Sequence, residues 1–149
     1  MSLFGLLDVS ASGLAAQRLR LDLVANNMAN LDSTRTVEGG PYQRQLPILA
    51  PRKETSLFAR LLSGGQEALP VFEGGVQVAA IVRDPSPPRI LYDPGHPQAG
   101  ADGNVLLPNV DLVAEMIDLL AATRAYEANL AVFNTAKETA LRTLEMGRA

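Results

Sequence analysis

An α+β fold, with a long helix at each end and a small β-rich region between, follows from three observations on this 149-residue chain. Apolar residues recur in alternating steps of three and four over residues 3–31 and again over 111–146. Between these stretches lie most of the glycines and prolines, together with short apolar runs. One of them, VQVAAIV, is rich in β-branched residues and bounded by Gly-Gly and Asp-Pro, which predicts a strand. The predicted organisation is therefore 1-31, an N-terminal helix; 32-110, a β-rich middle with a proline-rich joint; and 111-149, a C-terminal helix. The two helices are expected to pair as a coiled-coil-like module.

In the first helix Leu7, Leu14, Leu21 and Met28 form one heptad row, with Phe4, Ala11, Arg18 and Ala25 as its companion. The long stem of Arg18 is expected to cover the seam while its guanidinium reaches water. Gly5 and Gly13 each lower local helix propensity by about 1 kcal/mol relative to Ala. The stretch VANNMANLDSTRT has two readings. Asn26, Asn27 and Asn30 end the helix by competing for backbone hydrogen bonds, or they fix the register of packed helices.

In the second helix the row is Leu112, Met116, Leu119, Thr123, Tyr126, Leu130, Phe133, Lys137, Ala140 and Leu144. Asp111 is the expected N-cap, Glu115 sits near the positive end of the helix dipole, and Gly147 is the expected stop. Glu138 and Arg142 form an i,i+4 pair. At 1.5 Å per residue the helices would be roughly 43 and 54 Å long, which is long for a domain of this size. In the middle, Tyr42 to Leu49, Val76 to Val82 and Arg89 to Tyr92 are candidate strands. Arg52 to Gly65 reads either as a short helix or as a flexible insertion.

The helices carry more apolar surface than one pair can bury. Leu6, Val9, Leu19 and Leu23 lie off the first seam, and Val113, Ile117 and Leu120 form a second stripe on the other helix. The surplus packs on the chain's own sheet, or neighbouring subunits cover it.

Composition narrows the function. A net charge of -3 and scattered basic residues give no field for nucleic acid. Without cysteine there is no disulfide or thiolate metal site. The N-terminus lacks the basic and apolar regions of a secretory signal, and no run of about 18 apolar residues would span a membrane. No phosphate loop, G-x-S-x-G or H-E-x-x-H occurs, and GADGNV lacks the acidic ligands of a calcium loop. His96, the single histidine, stands in YDPGHPQAGADG, a turn-forming sequence. The expectation is no enzyme activity, no cofactor and no metal. The rival expectation is a periplasmic binding or hydrolytic module using the His96 loop.

LDVSASGLAAQRLRLDLVANNMAN resembles the N-terminal signature shared by flagellar rod and hook proteins, a small-residue helix ending in an Asn-rich box at Ala25, Asn26, Ala29 and Asn30. STRTVEGGPYQRQ, SPPRILYDPGHPQAGADGNVLLPNVD and RAYEANLAVFNTAKETALRTLEM look like the proximal rod member of that family, with a distal rod or hook paralogue as the alternative. Arg52 to Ala68 departs from the pattern, as does Leu112, where Pro is expected after the capping Asp. The resemblance implies a structural subunit of the flagellar basal-body rod, a torque-transmitting shaft spanning the periplasm. It implies export by the flagellar type III apparatus without a cleaved signal, and partners that are copies of itself and other rod proteins. It implies that the terminal helices self-assemble through Leu7, Leu14, Leu21, Met28, Asn26, Asn27, Asn30, Met116, Leu119, Tyr126, Leu130, Phe133 and Leu144. On the same reading Pro87, Pro88, Tyr92, Asp93, Pro94, Gly95, His96 and Pro97 make a rigid joint between the middle and the C-terminal helix, the prolines fixing backbone angles.

Overall fold

The computed structural model describes residues 3–52 and 74–147. Helix α1, Leu3–Ala29, is followed by strands β1 (Gln45–Pro51), β2 (Val76–Arg83), β3 (Arg89–Tyr92) and β4 (Asn104–Leu107), then by helix α2, Leu112–Met146. The α+β class and both helices stand as the sequence predicts. The suggested helix or insertion after Arg52 lies outside the described residues.

Strand β1 pairs with β2, and β3 with β4. Asp84 N–H donates to the Arg44 carbonyl at 2.8 Å and Arg52 N–H to the Gly75 carbonyl at 3.1 Å, so the start of β1 meets the end of β2 and the pair is antiparallel. Strands β3 and β4 form an antiparallel hairpin in which Ile90 faces Leu106 and Leu91 faces Val105. Strand β4 was not expected from the sequence. It is four residues long and reads Asn-Val-Leu-Leu, so its residue types lack the apolar–polar alternation that marks a half-buried strand in sequence, although its burial alternates about Val105.

Local chemistry sets the helix ends. Asp111 caps α2: its Oδ1 accepts from Val113 N–H at 2.8 Å and more weakly from Ala114 N–H at 3.4 Å. Gly147 N–H still reaches the Thr143 carbonyl at 3.1 Å, just beyond the last helical residue. The α1 terminus is closed by Asn30, whose amide donates to the Asn26 carbonyl at 2.9 Å. The Glu138–Arg142 pair is loose, at 4.0 Å, and exposed.

Packing groups the chain differently from the three-part order of its elements. One compact unit gathers Met1–Gln17, Leu49–Ala79 and Ala125–Ala149; the other gathers Arg18–Ile48 and Ala80–Arg124. Among the described residues, the buried apolar side chains of the second unit include Leu23, Val24, Val105, Val110 and Ala122, and those of the first include Ala16 and Ala136. Neither unit has a large aliphatic core among the described residues. Polar bonds and close backbone approach must therefore do much of the holding.

Candidate functional site

Within the second unit, a buried polar cluster joins α1, the approach to β1, and α2. It is built around Asn27 and Glu115, which are 1% and 0% exposed. Asn27 uses all of its hydrogen-bonding capacity. Its Nδ2 donates to the Gln45 carbonyl at 3.0 Å and to Glu115 Oε2 at 3.2 Å. Its Oδ1 accepts from Gln45 N–H at 2.9 Å and from Tyr42 Oη at 2.9 Å. The amide thus bonds to the Gln45 backbone as a neighbouring strand would, docking the start of β1 on α1.

Glu115 would be prohibitively costly to bury alone. Arg44 Nε donates to its Oε1 at 2.5 Å, and the same guanidinium donates through Nη2 to Asp118 Oδ2 at 3.1 Å. Arg20 Nη2 reaches Asp118 Oδ1 at 2.8 Å. Two guanidiniums and two carboxylates neutralise one another. Glu115 and Asp118 lie three apart, on the same face of α2. Asn109 fixes the backbone of Arg44: its Oδ1 accepts from Arg44 N–H at 2.9 Å, and its Nδ2 donates to the Asp84 and Ser86 carbonyls at 3.1 and 3.2 Å. Burial, with the Glu115 charge adding to it, raises the Tyr42 pKa above the usual tyrosine value, while Arg83 opposes.

A second arrangement occupies the first unit. A Cβ on Gly13 would lie 3.0 Å from the Asn129 amide, so α1 and α2 approach closely there. Gly75, at φ 106°, sits over Ser12, leaving no room for a side chain. Ser12 Oγ donates to the Val9 carbonyl at 2.7 Å and accepts from Val76 N–H at 3.1 Å, anchoring β2 on α1.

The residues predicted for the helix interface fall into two groups. Leu7, Leu14, Leu21, Met28, Leu119, Tyr126 and Phe133 are half-buried; Met116, Leu130 and Leu144 are exposed. The most buried positions lie to one side of the predicted rows. On α1 they are Ser10, Ala16, Leu23, Val24 and Asn27, and on α2 Glu115, Ala122 and Ala136. Apart from Leu23 and Val24 this face is made of small and polar residues, which apolar periodicity does not register. Of the three asparagines, Asn30 closes the end of α1, Asn27 bonds to Glu115 and to the Gln45 backbone, and Asn26 is exposed. Arg18 is exposed, and Arg20 meets the acidic partner on α2 instead.

The proposed rigid joint has another place in the structure. Because the chain turns back into β4, Asp93 to Pro97 sit in the hairpin loop rather than along a linear spacer. Asp93 N–H donates to the Gly103 carbonyl at 2.9 Å, Ala99 N–H to the His96 carbonyl at 2.9 Å, and Gly95 N–H to Asp93 Oδ1 at 3.1 Å. His96 Nδ1 accepts from Gln98 N–H at 3.1 Å, a turn bond. Pro87 and Pro88 lead into β3, and Tyr92 ends it. The segment that enters α2 is Pro108–Val110, with Pro108 and Val110 fully buried. Among the described residues no group of His, Cys, Asp and Glu could hold a metal, and no helix is long and apolar enough to cross a membrane.

Sequence reading missed Tyr42, Arg44, Asp118 and Asn109. One signal was available: two carboxylates within the apolar run EMIDLL demand cationic partners.

The profile described as "Flagella basal body rod protein" matches residues 7–35, and that described as "Flagellar basal body rod FlgEFG protein C-terminal" matches residues 101–146. These spans contain α1 from Leu7 onward with its asparagines, and β4 with α2. Full-length relatives match across the middle as well. The chain is 44% identical to the flagellar basal-body rod protein FlgC of Borreliella burgdorferi, over 92% of each chain. It is 41% identical to FlgC of Yersinia enterocolitica and 40% identical to FlgC of Bacillus subtilis, in both cases over 99% of this chain and 100% of the relative. The chain belongs to the FlgC family of flagellar basal-body rod proteins.

Proposed function

We infer that this chain is a structural subunit of the proximal rod in the flagellar basal body and that it acts by assembly rather than by chemistry. One observation beyond the family carries the reading: α2 keeps large apolar side chains in water along its whole length, among them Leu112, Met116, Leu130, Leu141, Leu144 and Met146. Exposed apolar surface on this scale marks an interaction site. Neighbouring subunits, copies of this chain and other rod proteins, would cover it. The half-buried row Leu7, Leu14, Leu21 and Met28 would close against the same neighbours.

The buried polar joint suits a shaft. Fully satisfied polar networks rigidify and specify one arrangement, and a torque-bearing subunit must not let its helices slide. On the same reading the chain passes through the flagellar type III export apparatus without a cleaved signal and takes its place in the periplasm-spanning rod.

The test is to purify hook–basal bodies from the native host and seek the chain by mass spectrometry, alongside the swimming of a deletion strain and of Leu130→Asp and Leu144→Asp strains. The expected result is a rod component, with all three strains nonmotile and the two variant chains still folded. Absence from intact basal bodies with normal swimming would overturn the assignment.

A further inference from the structure

The second unit carries two apolar patches that its own fold leaves uncovered. The first is the outer face of the β3–β4 hairpin. Alternation places Ile90, Tyr92 and Leu106 on this face, at 68, 71 and 47% exposure, while Val105 points the other way and is buried. The second is a stripe on α2: Val113, Ile117 and Leu120, at 65, 62 and 60% exposure. Positions i, i+4 and i+7 share one helix face, and the next residue on that face is Arg124. This face lies half a turn from Glu115 and Ala122, so the chain's own packing uses the opposite side of α2.

We propose that the hairpin face of one copy seats on the α2 stripe of the next, as a head-to-tail contact between copies of this chain. This rests on the rod reading above. Charge and dimension both favour it. The apolar part of each patch contains no charged residue, and each ends in charge of opposite sign. Beyond Tyr92 stand Asp93 and Asp102, which the Asp93–Gly103 backbone bond brings to the same end of the hairpin. Beyond Leu120 stands Arg124, exposed and in no ion pair among the described residues. From Ile90 to Asp93 the strand advances about 10 Å; from Ile117 to Arg124 the helix advances about 10 Å. Seating Ile90 on Ile117 therefore brings the two aspartates level with Arg124. A contact between two different patches does not close on itself as a two-fold dimer does. Repeated, it extends into a helix or ring, as a rod requires.

The absence of cysteine from the chain makes the test clean. Ile90→Cys and Ile117→Cys are introduced singly and together in the native host, and isolated basal bodies are oxidised with copper phenanthroline and probed for this chain. The double variant should give dimers, trimers and longer ladders, and neither single variant should. Rods that contain the double variant but give no ladder would overturn the contact and leave the rod assignment standing. A single variant that dimerises as well as the pair would overturn it too, since the patch would then be self-complementary. Absence of the unaltered chain from rods would instead remove the assignment on which the contact rests. Should the cysteine pair prevent assembly, charge exchange decides. Arg124→Asp should reduce swimming, and adding Asp93→Arg and Asp102→Arg should restore it; failure to restore would overturn the contact.

Discussion

The two places where β-structure is fastened to α1 use opposite means. In one unit, Asn27, Arg44 and Glu115 make a buried joint from charges and a saturated amide. In the other, Gly13, Ser12 and Gly75 work by leaving room, so that backbones approach and a single hydroxyl suffices. The first is specific because a missing partner strands a buried charge. The second is specific because there is space for nothing else. Damage should therefore be severe and rescuable by paired change in the polar joint, and mild and dependent on a neighbour's size in the small-residue contact.

The largest effect should come from Arg44→Met, which leaves fully buried Glu115 without its cation. A loss of about 3–5 kcal/mol is expected, measured by urea denaturation of the purified chain. Adding Glu115→Leu should recover most of it, and if the double variant is no better than the single, the pair is not the core of the joint. Asn27→Ala comes next, at about 2–3 kcal/mol, because the Gln45 backbone groups and the Tyr42 hydroxyl lose their partner inside the protein.

Gly13→Ala should cost about 1 kcal/mol, since the Asn129 side chain must shift and give up its 3.0 Å bond to the Ala125 carbonyl. In an Asn129→Ala background the same change should instead stabilise by up to about 1 kcal/mol through helix propensity. A cost that persists there would mean the close approach is not to Asn129.

Alkaline titration sharpens the comparison further. The Tyr42 pKa is raised in the folded state, chiefly by burial. Its contribution is fully present below the unfolded tyrosine pKa, near pH 10, and is lost as pH rises through the higher folded value. Stability measured between pH 9 and 11 should fall more steeply for the unaltered chain than for Tyr42→Phe. The smallest effect is expected at the exposed Glu38–Arg83 pair, whose hydrogen bond and charge hold the Glu38 pKa below its usual value. Glu38→Gln should leave the melting temperature at neutral pH unchanged within error, and any difference between the two chains should vanish as pH falls below the carboxylate range.

Much of the architecture was legible in the sequence. Both helices, the Asp111 cap and three strands follow from periodicity and capping chemistry. The buried faces were not legible, because the pattern weighs apolar residues while the chain packs α1 through Ser10, Gly13, Ala16 and Asn27. Arg20 and Arg18 look alike on paper; only the position of Asp118 on α2 separates them. Strand β4 was hidden because its identity comes from pairing with β3, a partner that local sequence does not name. The exposed stripe Val113, Ile117 and Leu120 was legible, since apolar residues that a fold cannot use still show their spacing.

The polar joint also has a consequence in time. Asn27 and Glu115 are 88 residues apart in the chain, and the amide is not satisfied until both Gln45 and Glu115 have arrived. Closing so long a loop is entropically slow, and contacts of this range are late events in folding. A chain that emerges N-terminus first therefore cannot lock its first helix until the opening turns of its second, with Glu115 and Asp118, have followed. Until then Asn27 lacks Glu115 and Arg20 lacks Asp118, and the subunit stays pliable for as long as it is incomplete.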